Sequence, residues 1–332
     1  MRRISFFNTP SPATDEAKPF VILHSSFIIP HRMLRRLLLL APLLLSSCVM
    51  PTGPGIAPVG SRSPTTGDIA LPLRFRAEAP HVTGSINGWR PLLLLADTGA
   101  SVCVFDSNIA AATGIAATGA SASLRGVHGR TAAHAGILRT LDAGAWHLEN
   151  VPCYVRRSTV ESLGGPGSAI LGIDQMRRHF AHVTFDYRRG VLELGRSSFQ
   201  PRSSRATRVP FRMIGGLPVI RVSAGGLAWD AVVDTGSSWG VVIDQTTAAR
   251  LGQARGGQGL GPGLLLSGVG GSVRADRAGA RIIRVPEVSL CGQSYRGAEL
   301  YVMPGPMRIG SRFWHGTRMT LDFSTNTLWV ER

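Results

Sequence analysis

Apolar residues in this chain come in short runs, with glycine-rich stretches between them. Leu94-Leu95-Ala96, Val102-Cys103-Val104-Phe105, Ala169-Ile170-Leu171 and Val183-Thr184-Phe185 have strand length and strand composition. Two Ala-rich stretches, 108–113 and 246–251, are long enough for single helical turns, and 173–180 for one short helix. Turn residues are frequent, with Gly 40 and Pro 21 in 332 residues. The pattern predicts an all-β protein, and the length admits two domains.

From about Ile69 the pattern occurs twice. Leu71-Pro72-Leu73-Arg74 matches Val209-Pro210-Phe211-Arg212. Asn87-Gly88 and Gly225-Gly226 read as hairpin turns, each leading into a buried strand. Each strand ends in the same tripeptide: Asp97-Thr98-Gly99, then Asp234-Thr235-Gly236 137 residues later. Leu124-Arg125-Gly126-Val127-His128-Gly129 answers to Leu266-Ser267-Gly268-Val269-Gly270-Gly271, and both suit mobile hairpin tips. Ala169-Ile170-Leu171-Gly172 answers to Met307-Arg308-Ile309-Gly310, where Arg308 stands in place of the apolar Ile170. A glycine closing an apolar strand marks a close backbone approach, here to the Asp turn. Strand pairs 183–186 with 191–194 and 319–322 with 327–330 close the two copies, and a Ser/Arg-rich stretch, 198–207, joins them.

The first 67 residues have another character. Arg35-Arg36 followed by Leu37–Leu45 reads as a secretory signal, too short to span a bilayer. Its end, Leu45-Ser46-Ser47-Cys48, resembles a bacterial lipobox, with Cys48 the expected lipidation site. Residues 1–32 do not fit a signal and read as a spurious extension ahead of a start at Met33. The expected organisation is 33–47 signal peptide, 48–67 flexible lipid-anchored tether, 68–200 first lobe and 201–332 second lobe. The formal charge of +16 changes little. Lys18 is the single lysine, the arginines are scattered, and no dense basic run with aromatics points to nucleic acid.

The chemistry follows from the twin acids. A buried, unpaired carboxylate is costly. Two at matched positions, Asp97 and Asp234, imply that they meet. Two carboxylates in hydrogen-bonding reach share one proton over a wide pH range. One takes a proton from a water that attacks a carbonyl, and the other donates to the developing oxyanion. No metal, cofactor or covalent intermediate is needed. Thr98 and Thr235 can lock the two turns together, and Gly99 and Gly236 aim backbone N–H groups at the acids. Ser101 and Ser238 follow in each turn. Ser237 offers Asp234 a hydroxyl that Ala100 does not offer Asp97, so the two acids are expected to be inequivalent.

These residues carry a resemblance. Apolar-apolar-Asp-Thr-Gly-(Ala/Ser)-Ser, a Gly-Val-x-Gly tip and a later apolar-apolar-Gly occur in order, twice, over about 69–332. The chain resembles the retropepsin/pepsin superfamily of aspartic proteases, in a bacterial two-lobed form. That implies two tandem closed β-barrel lobes about a pseudo-twofold axis, with the active-site cleft between them. It implies endopeptidase activity on a polypeptide substrate held under flaps formed by Gly126, Val127, His128 and Gly129 and by Gly268, Val269, Gly270 and Gly271. With the leader, it implies a monomer, exported and anchored at the bacterial envelope membrane. A peptide-binding lipoprotein without turnover is the alternative. Paired carboxylates for glycoside hydrolysis fit poorly, since nothing there calls for Thr-Gly after each acid. Cys103, Cys153 and Cys291 would remain in a processed chain, and a Cys103–Cys153 bridge competes with a role for Cys103 as a small buried hydrophobe. His179 and His182 lack a third ligand in a metal-binding pattern.

Overall fold

The computed structural model describes residues 50–52, 60–126, 129–157 and 168–332. The expected signal, Cys48, and the tip residues Val127 and His128 lie outside the described residues. The first half contains β1 (Met50–Thr52), β2 (Ile69–Pro72), β3 (Arg74–Arg76), β4 (Ala79–Ile86), β5 (Leu92–Asp97) and β6 (Cys103–Asp106). It continues with α1 (Ser107–Thr113), β7 (Ala116–Gly126), β8 (Gly129–Ala143), β9 (Trp146–Arg156) and β10 (Ala169–Gly172). α2 (Ile173–His179), β11 (His182–Asp186) and β12 (Val191–Gly195) complete it.

The second half opens with β13 (Thr207–Pro210), β14 (Arg212–Ile214), β15 (Leu217–Ala224), β16 (Leu227–Asp234) and β17 (Val241–Ile243). After α3 (Gln245–Arg250) come β18 (Gln258–Gly259), β19 (Leu265–Gly268), β20 (Gly271–Arg274), β21 (Arg281–Leu290) and β22 (Gln293–Val302). β23 (Arg308–Gly310), α4 (Ser311–Trp314), β24 (Arg318–Asp322) and β25 (Thr327–Glu331) finish the chain. No helix among the described residues is long and apolar enough to cross a membrane.

Each Asp strand runs through the middle of its own sheet. β5 lies parallel to β10, with Gly172 opposite Asp97, and β16 lies parallel to β23, with Gly310 opposite Asp234. β10 then pairs antiparallel with β6, and β23 with β17. β6 runs parallel to β9, and β17 to β22. Strands enclosed in this way are apolar on both faces, which is why β10 is buried at every residue. A β-carbon on Gly172 would stand 2.5 Å from the carbonyl carbon of Val102, and one on Gly310 2.3 Å from the carbonyl oxygen of Trp239. Only glycine lets these strand ends meet the Asp turns. The hairpins feeding β5 and β16 turn through Asn87 and Gly88 (φ 51° and 74°) and through Gly225 and Gly226 (φ 54° and 76°). Two successive positive φ values match the right-handed twist of the flanking strands.

Both expected closing pairs form, 183–186 with 191–194 and 319–322 with 327–330. They do not finish two separate sheets. β11 pairs with β24 across the halves, in one six-stranded sheet of order β13-β25-β24-β11-β12-β2. Thr184 faces Thr320 at its centre, with their hydroxyls 2.7 Å apart. One apolar core carries Leu94, Phe105, Trp146 and Phe185 together with Val233, Trp314, Met319 and Leu328.

The tether also needs correction. Met50–Thr52 pairs along β7, and Arg62 exchanges two backbone hydrogen bonds with Glu149. The Ser61 hydroxyl donates to Gln175 Oε1 at 2.7 Å. Composition suggested a free spacer, but backbone pairing needs little from side chains, so these stretches dock on sheet edges and on α2.

Candidate active site

The ends of β5 and β16 bring Asp97 and Asp234 together. Both are fully buried, and their side chains are within hydrogen-bonding reach of each other. The Gly99 N–H donates to Asp97 Oδ1 at 2.8 Å, and the Ser237 N–H to Asp234 Oδ1 at 3.0 Å. Gly99 must be glycine, since its β-carbon would lie 2.4 Å from the Asp234 carboxyl carbon. Asp234, in contact with Asp97, titrates well above the ordinary carboxylate range, a rise that belongs to the pair. Burial is the larger cause and the Asp97 charge the next, while Arg308 pulls the other way.

The threonines cross over between the turns. The Thr98 N–H donates to Thr235 Oγ1 and the Thr235 N–H to Thr98 Oγ1, both at 3.0 Å. Each hydroxyl donates onward, Thr98 to the Val233 carbonyl at 2.6 Å and Thr235 to the Ala96 carbonyl at 2.7 Å. Four buried hydrogen bonds at about 0.5–1.5 kcal/mol each hold the two acids in register.

Above the acids, the two glycine-rich hairpins touch. A β-carbon on Gly126 would stand 2.4 Å from the Gly270 nitrogen, and one on Gly270 2.7 Å from the Gly129 carbonyl oxygen. Val269 is buried in a small cluster with Leu95, Ala100, Leu124, Tyr154 and Ile170 of the first half. The second hairpin is also held by Arg156, whose Nη1 donates to the Gly268 carbonyl at 3.3 Å while its Nε donates to Asp106 Oδ1 at 2.5 Å. Asp106 precedes α1 yet makes no side-chain cap there, whereas its counterpart Asp244 caps α3 by accepting from the Thr247 N–H.

Two carboxylates meeting on crossed Thr-Gly turns, below a pair of hairpin tips, are decided by one further observation: residues 82–175 match the family model described as aspartyl protease. That stretch of the chain is similar to the aspartyl protease family, of the retropepsin-like type. The matched span of that aspartyl protease model holds the Asp97 turn, Gly126 and Gly129, and Gly172. No curated protein matches the chain.

Other residues expected at the site fall as follows. Ser238 is buried within its turn. Ser101 lies at a cavity of about 430 Å³ that it lines with Ile173, Asp174, Arg177, Arg178 and Gly216. Ser237 does not act as drawn from the sequence. Its hydroxyl accepts from Arg308 Nε at 3.3 Å, and its backbone N–H serves Asp234. Cys103 and Cys153 stand directly opposite each other on β6 and β9 as free thiols, and Cys291 is free too. Burial pushes Cys153 up to about 12 and Cys103 well above its ordinary value. His179 and His182 point to different partners, Ser61 Oγ at 2.9 Å and the Ser197 carbonyl at 3.0 Å.

Two features escaped the sequence reading. Tyr187 reaches Ser311 Oγ at 2.9 Å, and Ser311 donates to the Thr235 carbonyl at 2.6 Å, so the second turn is braced from below. Arg308 is fully buried, with Nε 3.9 Å from Asp234 Oδ2. A charged residue in an otherwise apolar block was the available signal for it.

Proposed function

We propose that the protein is an aspartic endopeptidase that hydrolyses peptide bonds with a water held between Asp97 and Asp234. The observation carrying this is the dyad itself: two buried carboxylates in mutual reach, fixed by reciprocal threonine bonds. The ionised acid removes a proton from the water as its oxygen bonds to the carbonyl carbon. The protonated acid hydrogen-bonds the developing oxyanion. A proton then passes to the amide nitrogen as the C–N bond breaks. The glycine-rich hairpins, at Gly126 and Gly129 and at Gly268, Val269, Gly270 and Gly271, close over an extended peptide.

In this reading the chain folds as two lobes, 68–200 and 201–332, about a pseudo-twofold axis, with the cleft between them. The equivalent pairings of β5 with β10 and of β16 with β23 support it, as does the antiparallel pairing of Thr184 with Thr320. Arg35-Arg36, Leu37–Leu45 and Cys48 support export and lipid anchoring at a bacterial envelope. Replacing Cys48 by Ser would then release the protein from membranes in cell fractionation.

The test of the chemistry is incubation of purified protein with a diverse peptide library from pH 3 to pH 8, beside Asp97→Asn and Asp234→Asn. Cleavage by the parent and a loss of about 10³-fold or more in either variant is expected. Equal cleavage by a variant refutes the mechanism. Peptide binding without cleavage at any pH points to the binding lipoprotein instead.

A further inference from the structure

Arg308 has no role in the water-and-dyad scheme, yet its guanidinium is a cation within 4 Å of the dyad. It occupies the position on β23 that Ile170 occupies on β10: Arg308 pairs with Val232, two residues before Asp234, as Ile170 pairs with Leu95, two before Asp97. Its guanidinium is fixed from three sides. Nε donates to Ser237 Oγ at 3.3 Å, Nη1 to the Pro306 carbonyl at 2.9 Å, and Nη2 lies 4.0 Å from Met303 Sδ. Arginine stays charged at any pH a protein survives. A permanent, fully buried positive charge therefore sits 3.9 Å from one oxygen of one acid.

Among the described residues Tyr187 also faces the dyad, and burial keeps it neutral well past its ordinary range. Arg308 is a fixed cation on the Asp234 side of the pair. A cation stabilises the ionised form of the carboxylate it faces. The raised titration of two acids in contact belongs to the pair, and the placement of a nearby charge decides which member ionises first.

We propose that Arg308 is a positioning residue for the dyad's proton: it holds Asp234 as the ionised member, leaves the shared proton on Asp97, and moves the pH range of the singly protonated pair downward. The proposal rests on the proteolytic reading only for its consequence in catalysis. The proton placement is a property of the resting protein. Asp234 then takes the proton from the attacking water, and Asp97 donates to the oxyanion.

The experiment uses the full chain with Arg308→Met, Arg308→Lys and the double variant Ser237→Ala/Arg308→Ile. The double variant gives the second half the side chains of the first and guards against an unpaired Ser237 preventing folding. Aspartate-selective ¹³C labelling reads the two carboxyl titrations directly, with resonances assigned from the Asn variants. The parent should show Asp97 protonated and Asp234 ionised in mid-range. Losing the cation should raise the pair's titration by about one to three pH units and share the proton more evenly, with Lys in between. Where the parent cleaves peptide, both limbs of its kcat/KM profile should move up by the same amount. Unmoved titrations, or Asp234 protonated in the parent, overturn the proposal. A change confined to KM for peptides with acidic side chains, with the pH limbs fixed, also overturns it and makes Arg308 a substrate contact. If the parent cleaves nothing, the proteolytic reading fails while the carboxyl titrations still decide this one.

Discussion

Beneath Asp97 the chain places Ala100 and Ile170; beneath Asp234 it places Ser237 and Arg308. The backbone around both pairs is the same. The Ile173 N–H donates to the Ala100 carbonyl at 2.9 Å, and the Ser311 N–H to the Ser237 carbonyl at 2.8 Å. Ala100 and Ile170 share one dry apolar cluster, whereas Ser237 and Arg308 are joined by a hydrogen bond. The two differences are therefore one difference. A buried guanidinium needs an acceptor and a counter-charge, and the second half supplies both. The first half has the acid but no hydroxyl beside it, and fills the same space with hydrocarbon.

That contrast can be broken most severely by Ile170→Arg. The new cation would enter the first half without a hydroxyl partner, and should cost about 3–5 kcal/mol in denaturant unfolding. Adding Ala100→Ser should restore part of the loss. Full recovery of Ile170→Arg without it would mean that Ser237 is not what makes Arg308 tolerable. The threonine crossing sharpens the comparison from the opposite direction, because there the halves are matched. Thr98→Val and Thr235→Val should each destabilise by about 1–3 kcal/mol, since each leaves a buried N–H of the other turn without an acceptor. Thr→Ser at the same sites should keep most of that stability. A large difference between the two Val variants would show that the crossing is less even than its 3.0 Å bonds suggest.

The smallest effect belongs to Asp174, which has an arginine, Arg312, at the corresponding place after β23. Burial raises Asp174 to about 6 from 3.8, against the pull of Gln175. The folded state thus favours its neutral form. The contribution is fully present below pH 3.8 and is lost as pH rises through about 6. Asp174 borders a cavity and is partly exposed, so about 1 kcal/mol is expected. Asp174→Asn should be more stable relative to the parent at pH 8 than at pH 4 by that amount, read by unfolding at both pH values.

What the sequence made legible was what short stretches decide alone. Asn87-Gly88 and Gly225-Gly226 specify their turns by backbone freedom. Gly172 and Gly310 announced close approach by closing apolar strands, and both meet the Asp turns. Asp97 and Asp234 were readable because a buried acid demands an explanation. The rest depended on partners far apart in the chain. Nothing local to 182–186 says that it will lie against 318–322. Ser61 gives no sign of Gln175, nor Met50–Thr52 of β7. Arg308 looked like a blemish in an apolar block because its meaning lies in Ser237 and Asp234, 71 and 74 residues earlier.

The lone arginine also says what a single polypeptide can do that a pair of identical ones cannot. If the dyad were assembled from two copies of one short chain, any residue placed beside one acid would appear beside the other. An arginine at this position would then arrive twice, and two fixed cations would face a pair that carries one negative charge. Joining the halves through 198–206 removes that constraint. It also makes assembly of the site unimolecular, so its completeness does not fall on dilution. Lopsidedness is thus open to one chain that carries both acids, and Arg308, beside Asp234, is such a one-sided residue.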